Sequence, residues 1–375
     1  MRVAIVHYWL VGMRGGEKVV EELCDIFPQA DVFTHVYKPS AISKRITSHE
    51  IKTTFINQLP FAQSQYQYYL PLMPLALEQI NLDDYDLVIS SESGPAKGVI
   101  TRPDALHICY CHSPMRYVWS AYHEYRGRTD GVTRLLMPHI MHRMRMWDHA
   151  AADRVDHFIA NSHNVAERIW KYYRRQSTVI YPPVSFDAAV PSPSREDFYL
   201  FVSQLVPYKN ADVAVEAFNR MGKRLLVIGQ GEEYARLKRC AGPTVELLGH
   251  QSDEMLKSYY ARCRALVFVA NEDFGMVPVE AMKAGTPVLA YRGGGALETV
   301  VDGETGLFMN DQTPDSLIDA VERFEAAEHR FDSARIIRWA QQFSANAFKQ
   351  RMTDVTNSWL DDRLRRRAAP QRQVA

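Results

Sequence analysis

Short apolar runs alternate with amphipathic stretches along the whole chain. In the first half Val3–His7 (VAIVH) and residues 31–37, 85–90, 107–112 (HICYCH), 155–161 and 179–181 read as strands. In the second half residues 198–203, 224–228, 245–248, 266–270 and 287–291 read the same way. Residues 17–27 and 140–152, His163–Tyr173, Ala211–Met221, residues 232–240 and 256–262, Pro314–Ala327 and residues 334–343 read as helices. Strands that are apolar almost throughout belong to parallel sheets covered on both faces, so the alternation predicts an α/β chain. Two stretches fall outside this rhythm. Residues 53–73, rich in Tyr, Gln and Pro, read as surface loop and short helix, and residues 303–308 (GETGLF) read as a hairpin-like turn.

The stretch 265–295, ALVFVANEDFGMVPVEAMKAGTPVLAYRGGG, is the most informative. A strand leads into a polar loop at 271–277. A helix follows with Pro278 in its first turn, where the missing N–H costs nothing, and it stops at Gly285 before the next strand. The loop of such a βαβ unit lies at the carboxyl end of the sheet, where α/β folds bind ligands. A helix starting near Gly275 aims free N–H groups and a positive dipole end at that crevice, a seat for phosphate. Gly275, lacking Cβ, lets a ligand approach the backbone closely. Glu272 and Glu280 then either flank one pocket or are an ordinary loop acid and a solvated helix acid. Residues 293–298 form a second glycine turn into a helix, another array of N–H donors.

Other candidates lie at strand ends. The loop after the first strand closes with Arg14-Gly15-Gly16, as nucleotide-binding domains do and as any tight strand-to-helix turn does. His112 sits at a strand tip before Ser113-Pro114, well placed to face a cleft. Lys209, in the loop 204–210, is either a fixed charge for a diphosphate or a surface lysine. Asp84-Tyr85-Asp86 matches a D-x-D metal motif, but beside Asp83 it reads as a solvated turn. Residues 134–154 carry bulky apolar side chains with several arginines. They form a core helix with a basic edge or a segment touching anionic lipid.

At 375 residues the chain predicts two domains, and the proline- and serine-rich residues 182–197 read as their linker. A hydrophobic share of 46% excludes global disorder, and a net charge of zero argues against nucleic acid as a bulk partner. Five cysteines without a CxxC pair read as reduced thiols of a cytoplasmic protein, and Cys109 and Cys111 share a strand face. No apolar run approaches 18 residues and Met1-Arg2-Val3 enters a strand directly, so neither a signal peptide nor a spanning helix is expected. The tail 363–372 carries five arginines and reads as disordered or as an anionic-membrane contact.

The wording E-D-F-G-M-V-P-V-E-A-M-K-A-G-T-P-V resembles the donor-site signature of retaining glycosyltransferase family 4, a GT-B fold family. The resemblance covers most of the chain and is strongest over 198–308. It implies two Rossmann-like domains facing across a cleft, an acceptor-side domain over 1–185 and a nucleotide-sugar-binding domain over 186–345. Residues 346–375 would be a C-terminal helix crossing back to the first domain plus a basic tail. By the same resemblance, Glu272 contacts the sugar and Glu280 the ribose. Lys209 and the backbone from Phe274 through Gly275, Met276 and Val277 hold the diphosphate, and the Arg14-Gly15-Gly16 loop lies near the donor phosphates and acceptor. The run YCHSPMRYVW resembles a subgroup acting in bacterial polysaccharide assembly. In the family a cleft histidine at this place, here His112, lies beside the transferred sugar, and YCHSPMRYVW together with EDFGMVPVEA implies a mannosyl-type transferase with GDP-mannose as donor and a polyprenyl-diphosphate-linked saccharide as acceptor. The family's arginine five residues before the lysine is Gln204 here, which removes one phosphate-binding cation. Retention of configuration, with no cofactor and no metal, is the expected chemistry. A UDP-sugar donor, a nucleotide-sugar epimerase and a non-catalytic nucleotide-sugar-binding protein remain open alternatives.

Overall fold

The computed structural model describes residues 1–186 and 195–368. The chain divides into two units: one holds Met1–Pro183 and the terminal stretch from Ala345, the other Val184–Ser344.

The first unit carries seven parallel strands: β1 (Val3–His7), β2 (Asp31–Thr34), β3 (Ile51–Thr53), β4 (Leu87–Glu92), β5 (Leu106–Cys111), β6 (His157–Ala160) and β7 (Ser177–Val179). Their order is β3-β2-β1-β4-β5-β6-β7, so the sheet grows outward on both sides of the β1/β4 pair. That junction is the switch point where a crevice opens in such sheets. Val3 and Ile5 bury into one core and Ala4 and Val6 into another, which is why β1 is apolar without alternation. The helix Ala345–Ala368 docks on this unit: Phe348 and Met352 are buried in the core of Val3 and Ile5. Trp359 stacks on His157 at 4.1 Å, and Arg363 reaches Asp156 (3.1 Å) and the Pro103 carbonyl (2.7 Å). The rest of the arginine tail, from residue 369, lies outside the described residues.

The second unit has six parallel strands: β8 (Tyr199–Val202), β9 (Leu225–Ile228), β10 (Val245–Gly249), β11 (Leu266–Phe268), β12 (Val288–Tyr291) and β13 (Gly306–Met309). Their order, β10-β9-β8-β11-β12-β13, puts the switch point between β8 and β11. The hairpin expected at 303–308 is replaced by β13, which runs parallel to β12. Gly303 (φ +76°) makes the turn, whereas Gly306 admits close strand approach: a Cβ there would lie 2.0 Å from the Val288 carbonyl oxygen. Of the linker read over 182–197, residues 187–194 lie outside the described residues. Val184 is buried, and its N–H donates to the Phe343 carbonyl at 2.9 Å.

Ser162 caps the helix His163–Tyr173 as expected, its Oγ accepting from Val165 N at 3.1 Å. The helix read over 140–152 starts earlier, at Gly131, and carries Pro138 in its interior. Its Met141, Met144 and Asp148 are buried on one side.

Candidate functional site

In the second unit, two glycines hold the loop after β8. Gly229 (φ +145°) and Gly231 (φ +158°) let the turn after β9 lie flat on it, since Cβ atoms there would come within 1.8 Å of the Ser203 carbonyl oxygen and 2.1 Å of that of Leu205. Leu205 N donates back to the Gln230 carbonyl at 2.8 Å. This platform leads to Lys209, whose ammonium pairs with Glu272 from the loop after β11. Residues 63 positions apart thus meet at the β8/β11 switch point. Gln204 is exposed on the same loop.

Gly275 takes a left-handed conformation (φ 85°) just before the helix Met276–Lys283. Its neighbour loop is supported from below by glycines 293–295. Gly295 N–H donates to the Glu272 carbonyl at 2.9 Å, and Cβ atoms on Gly294 and Gly295 would lie 2.2 Å from the Glu272 oxygen and 2.3 Å from Phe274 Cα. Within the second donor array expected at 293–298, the Gly295 N–H is spent on bracing this loop, and the helix that follows, Ala296–Thr299, is one turn long. Phe274 is buried, its ring turned into the core against Phe343. Glu280 accepts from the Tyr260 hydroxyl at 3.3 Å, and burial together with that carboxylate pushes the Tyr260 phenol well up. A cation, first-turn N–H groups and two held carboxylates suit a phosphate next to a polyol.

The first unit gathers a second set. His112 follows β5, its N–H donating to the Glu92 carbonyl at 2.8 Å and its Nε2 lying 2.8 Å from Ser91 Oγ. Ser91 Oγ is in turn 3.0 Å from His7 Nδ1, the two residues facing each other in the β1/β4 register. Burial, reinforced by His7, pushes the His112 pKa down to about 3, so the ring is neutral at ordinary pH. The Arg14–Gly16 loop joins this group. Arg14 N donates to Glu17 Oε2 at 3.0 Å, Glu17 Oε1 is 3.8 Å from His7 Nε2, and a Cβ on Gly16 would meet the Tyr8 hydroxyl at 2.5 Å. The Arg14 side chain is exposed.

The remaining candidates are tied into ordinary structure. Asp84 pairs with Arg2 at 2.9 Å, Asp86 with Arg102, and the Tyr85 hydroxyl with Asp31. Cys109 and Cys111 are both fully buried in a core with Phe158 and Val165. Trp147 is packed rather than presented, its Nε1 donating to Glu78 at 3.2 Å. The exposed large apolar residues of that helix are Val132, Leu135, Leu136 and Met146.

His7, Glu17 and Ser91 were not singled out by sequence, although His7 and Ser91 are polar residues closing apolar strands at carboxyl ends. Also missed was Lys97, alone in the small-residue turn after β4. Its ammonium is fully buried between Glu92 (2.7 Å) and Asp148, and Asp148 also accepts from Trp119 Nε1 (2.7 Å) and the Tyr173 hydroxyl (2.8 Å).

Two family models match the chain: Glycosyltransferase Family 4 over residues 13–188 and Glycosyl transferases group 1 over residues 185–349. Together the two matches run from residue 13 to residue 349, so each half of the chain is similar to one glycosyltransferase domain, and the two parallel-sheet units are those of the GT-B fold. An uncharacterized glycosyltransferase of Methanocaldococcus jannaschii is 30% identical over 176 residues, 46% of this chain and 50% of that protein. The alpha-1,3/1,6-mannosyltransferase of Mus musculus is 27% identical over 238 residues, 52% of this chain and 57% of that protein. The chain thus spans about half the length of the curated relatives it matches. The crystal structure of HepE from Anabaena in complex with UDP shares the fold with a TM-score of 0.70 at 17% identity, over 96% of this chain and 100% of that one.

Proposed function

We propose that this chain is a retaining, metal-independent glycosyltransferase that moves mannose from GDP-mannose to a polyprenyl-diphosphate-linked saccharide in bacterial polysaccharide assembly. The observation that carries the reading is the Lys209–Glu272 pair beside the Gly275 helix start, at the β8/β11 switch point. On this reading an incoming diphosphate takes Lys209 and the first-turn N–H groups of Met276–Lys283, and Glu272 turns to the sugar hydroxyls. Glu280 binds ribose, and neutral His112 contacts the transferred sugar. The main demand is to stabilise a departing diphosphate and an oxocarbenium-like sugar, which fixed charges and dipoles supply without a metal. With Gln204 exposed where the family has an arginine, Lys209 carries more of the diphosphate charge. The mannosyltransferase relative supports mannose. A UDP-sugar donor is the second reading, favoured by the UDP held in the HepE structure.

Membrane contact belongs to the same proposal. No helix among the described residues is long and apolar enough to cross a membrane. Exposed Val132, Leu135 and Leu136 beside exposed Arg126, Arg128 and Arg134 suit peripheral seating on anionic lipid at the inner face of the cell membrane.

The deciding experiment combines donor binding with transfer. GDP-mannose is expected to raise the melting temperature more than UDP-glucose does, because a ligand of the folded state stabilises it. Glu272→Ala and His112→Ala are expected to lower transfer about 100-fold or more while remaining folded. Normal turnover in both variants sinks the site. Activity lost in excess chelator and restored by a divalent ion sinks metal independence. Conversion of free nucleotide sugar without acceptor points instead to an epimerase, and binding without any turnover to a non-catalytic protein.

A further inference from the structure

Four polar side chains stand in series at the β1/β4 junction. Glu17 Oε1 lies 3.8 Å from His7 Nε2, His7 Nδ1 lies 3.0 Å from Ser91 Oγ, and Ser91 Oγ lies 2.8 Å from His112 Nε2. Glu17, His7 and Ser91 are buried, none more than 2% exposed, while His112 keeps partial exposure. His7 Nε2 is enclosed without a hydrogen-bond partner, an expensive state for a ring nitrogen. The Glu17 carboxylate offsets that cost only when the nitrogen carries a proton.

A serine hydroxyl has one proton, so Ser91 donates to one ring and accepts from the other. With the His7 proton on Nε2, facing Glu17, the bare His7 Nδ1 accepts from Ser91. Ser91 then accepts from His112 Nε2–H, and His112 Nδ1 is left as an acceptor. Moving the His7 proton to Nδ1 reverses every bond in the series and sets a bare Nε2 lone pair against the carboxylate. The first arrangement is the favourable one.

We propose that Glu17, acting through His7 and Ser91, is a positioning residue that fixes the His112 tautomer whose Nδ1 accepts a hydrogen bond from a sugar hydroxyl. This rests on the role proposed for His112. Because Glu17 also accepts from Arg14 N, one carboxylate sets both the glycine loop and the histidine.

Nitrogen-15 NMR of selectively labelled histidines reads the tautomer without needing turnover. Wild type is expected to show His112 protonated on Nε2. Glu17→Gln keeps the size, and its amide donates to His7 Nε2. It is expected to move the His112 proton to Nδ1 and to lower kcat about 10- to 100-fold. KM for whichever of GDP-mannose and UDP-glucose is turned over is expected to stay unchanged. Ser91→Ala is expected to uncouple the rings, giving mixed His112 tautomers and a similar loss in kcat. Should Ser91→Ala fail to fold, Glu17→Gln alone decides. If His112→Ala is inactive but Glu17→Gln leaves both tautomer and kcat unchanged, the relay is wrong and the His112 reading stands. If His112→Ala keeps full transfer, the role of His112 itself is wrong.

Discussion

The two sheets follow the same outward strand order, yet their switch points are built from different materials. At β1/β4 the side chains that meet grow from the strands themselves: His7 faces Ser91 in register, and His112 follows directly from β5. Behind them lies a fully buried ion triad, Lys97 with Glu92 and Asp148. At β8/β11 the corresponding side chains hang from loops, with Lys209 and Glu272 still partly exposed and glycines shaping the backbone beneath them. One junction is a rigid frame in which polar groups are locked by strand register. The other is a set of loops whose charges can change partners, which suits a place where a charged ligand has to displace an existing ion pair.

That contrast can be broken at its charges first. Lys97→Met leaves two carboxylates buried without their cation and is expected to cost about 3–5 kcal/mol, measured by urea unfolding. Acid is the next lever. Burial holds His35 and His107 down to about 4 and His112 to about 3, all in the first unit, whereas His250 and His329 of the second are exposed. A depressed histidine contributes stability that is present above the unfolded pKa, about 6.5, and is lost as pH falls toward the folded value. At pH 5 the loss is on the order of 2 kcal/mol for each histidine. Hydrogen exchange at pH 7 and pH 5 is expected to show protection falling in β4 and β5 but not in β11 and β12; equal loss in both units contradicts the picture.

Gly295→Ala drives a Cβ into the Phe274 backbone and is expected to cost about 1–3 kcal/mol and weaken nucleotide-sugar binding. Gly12→Ala, with nothing within 4 Å, is expected to stay within about 0.5 kcal/mol. Equal effects of the two, by calorimetry, remove the bracing role of 293–295. The smallest stability effect is expected from Lys209→Met, under about 1 kcal/mol because its ion pair keeps access to water. Its effect is expected in donor affinity instead, read by titration calorimetry.

The difference between the junctions also explains what could be read from the residues. Pattern located most strands within a few positions, because apolar runs of parallel strands are bounded by glycine and polar residues. Short Ile51–Thr53 escaped, being a partly exposed edge strand without an apolar run. The proposed donor loop could be picked out because Glu272, Gly275 and Glu280 lie within one contiguous stretch. The bracing by Gly294 and Gly295 was not, since a glycine that makes room and one that donates an N–H look the same in sequence. The His7–Ser91–His112 series was invisible for a different reason: its members are 84 and 21 positions apart, and only strand register joins them. Lys97 was hidden because nothing in a run of small residues marks a lysine as buried.

The helix Ala345–Ala368 has a consequence for biosynthesis. Phe348 and Met352 fill the core around Val3 and Ile5, so the first unit is sewn together from segments made early and late. During translation the second unit has left the ribosome before the first receives its last helix, and the early sheet waits with part of its core uncovered. Long-range closure of this kind folds slowly and leaves apolar surface open to aggregation and chaperones. A fragment ending at Pro183 is therefore not a natural folding unit; joining the terminal helix to it through a short linker restores the missing piece.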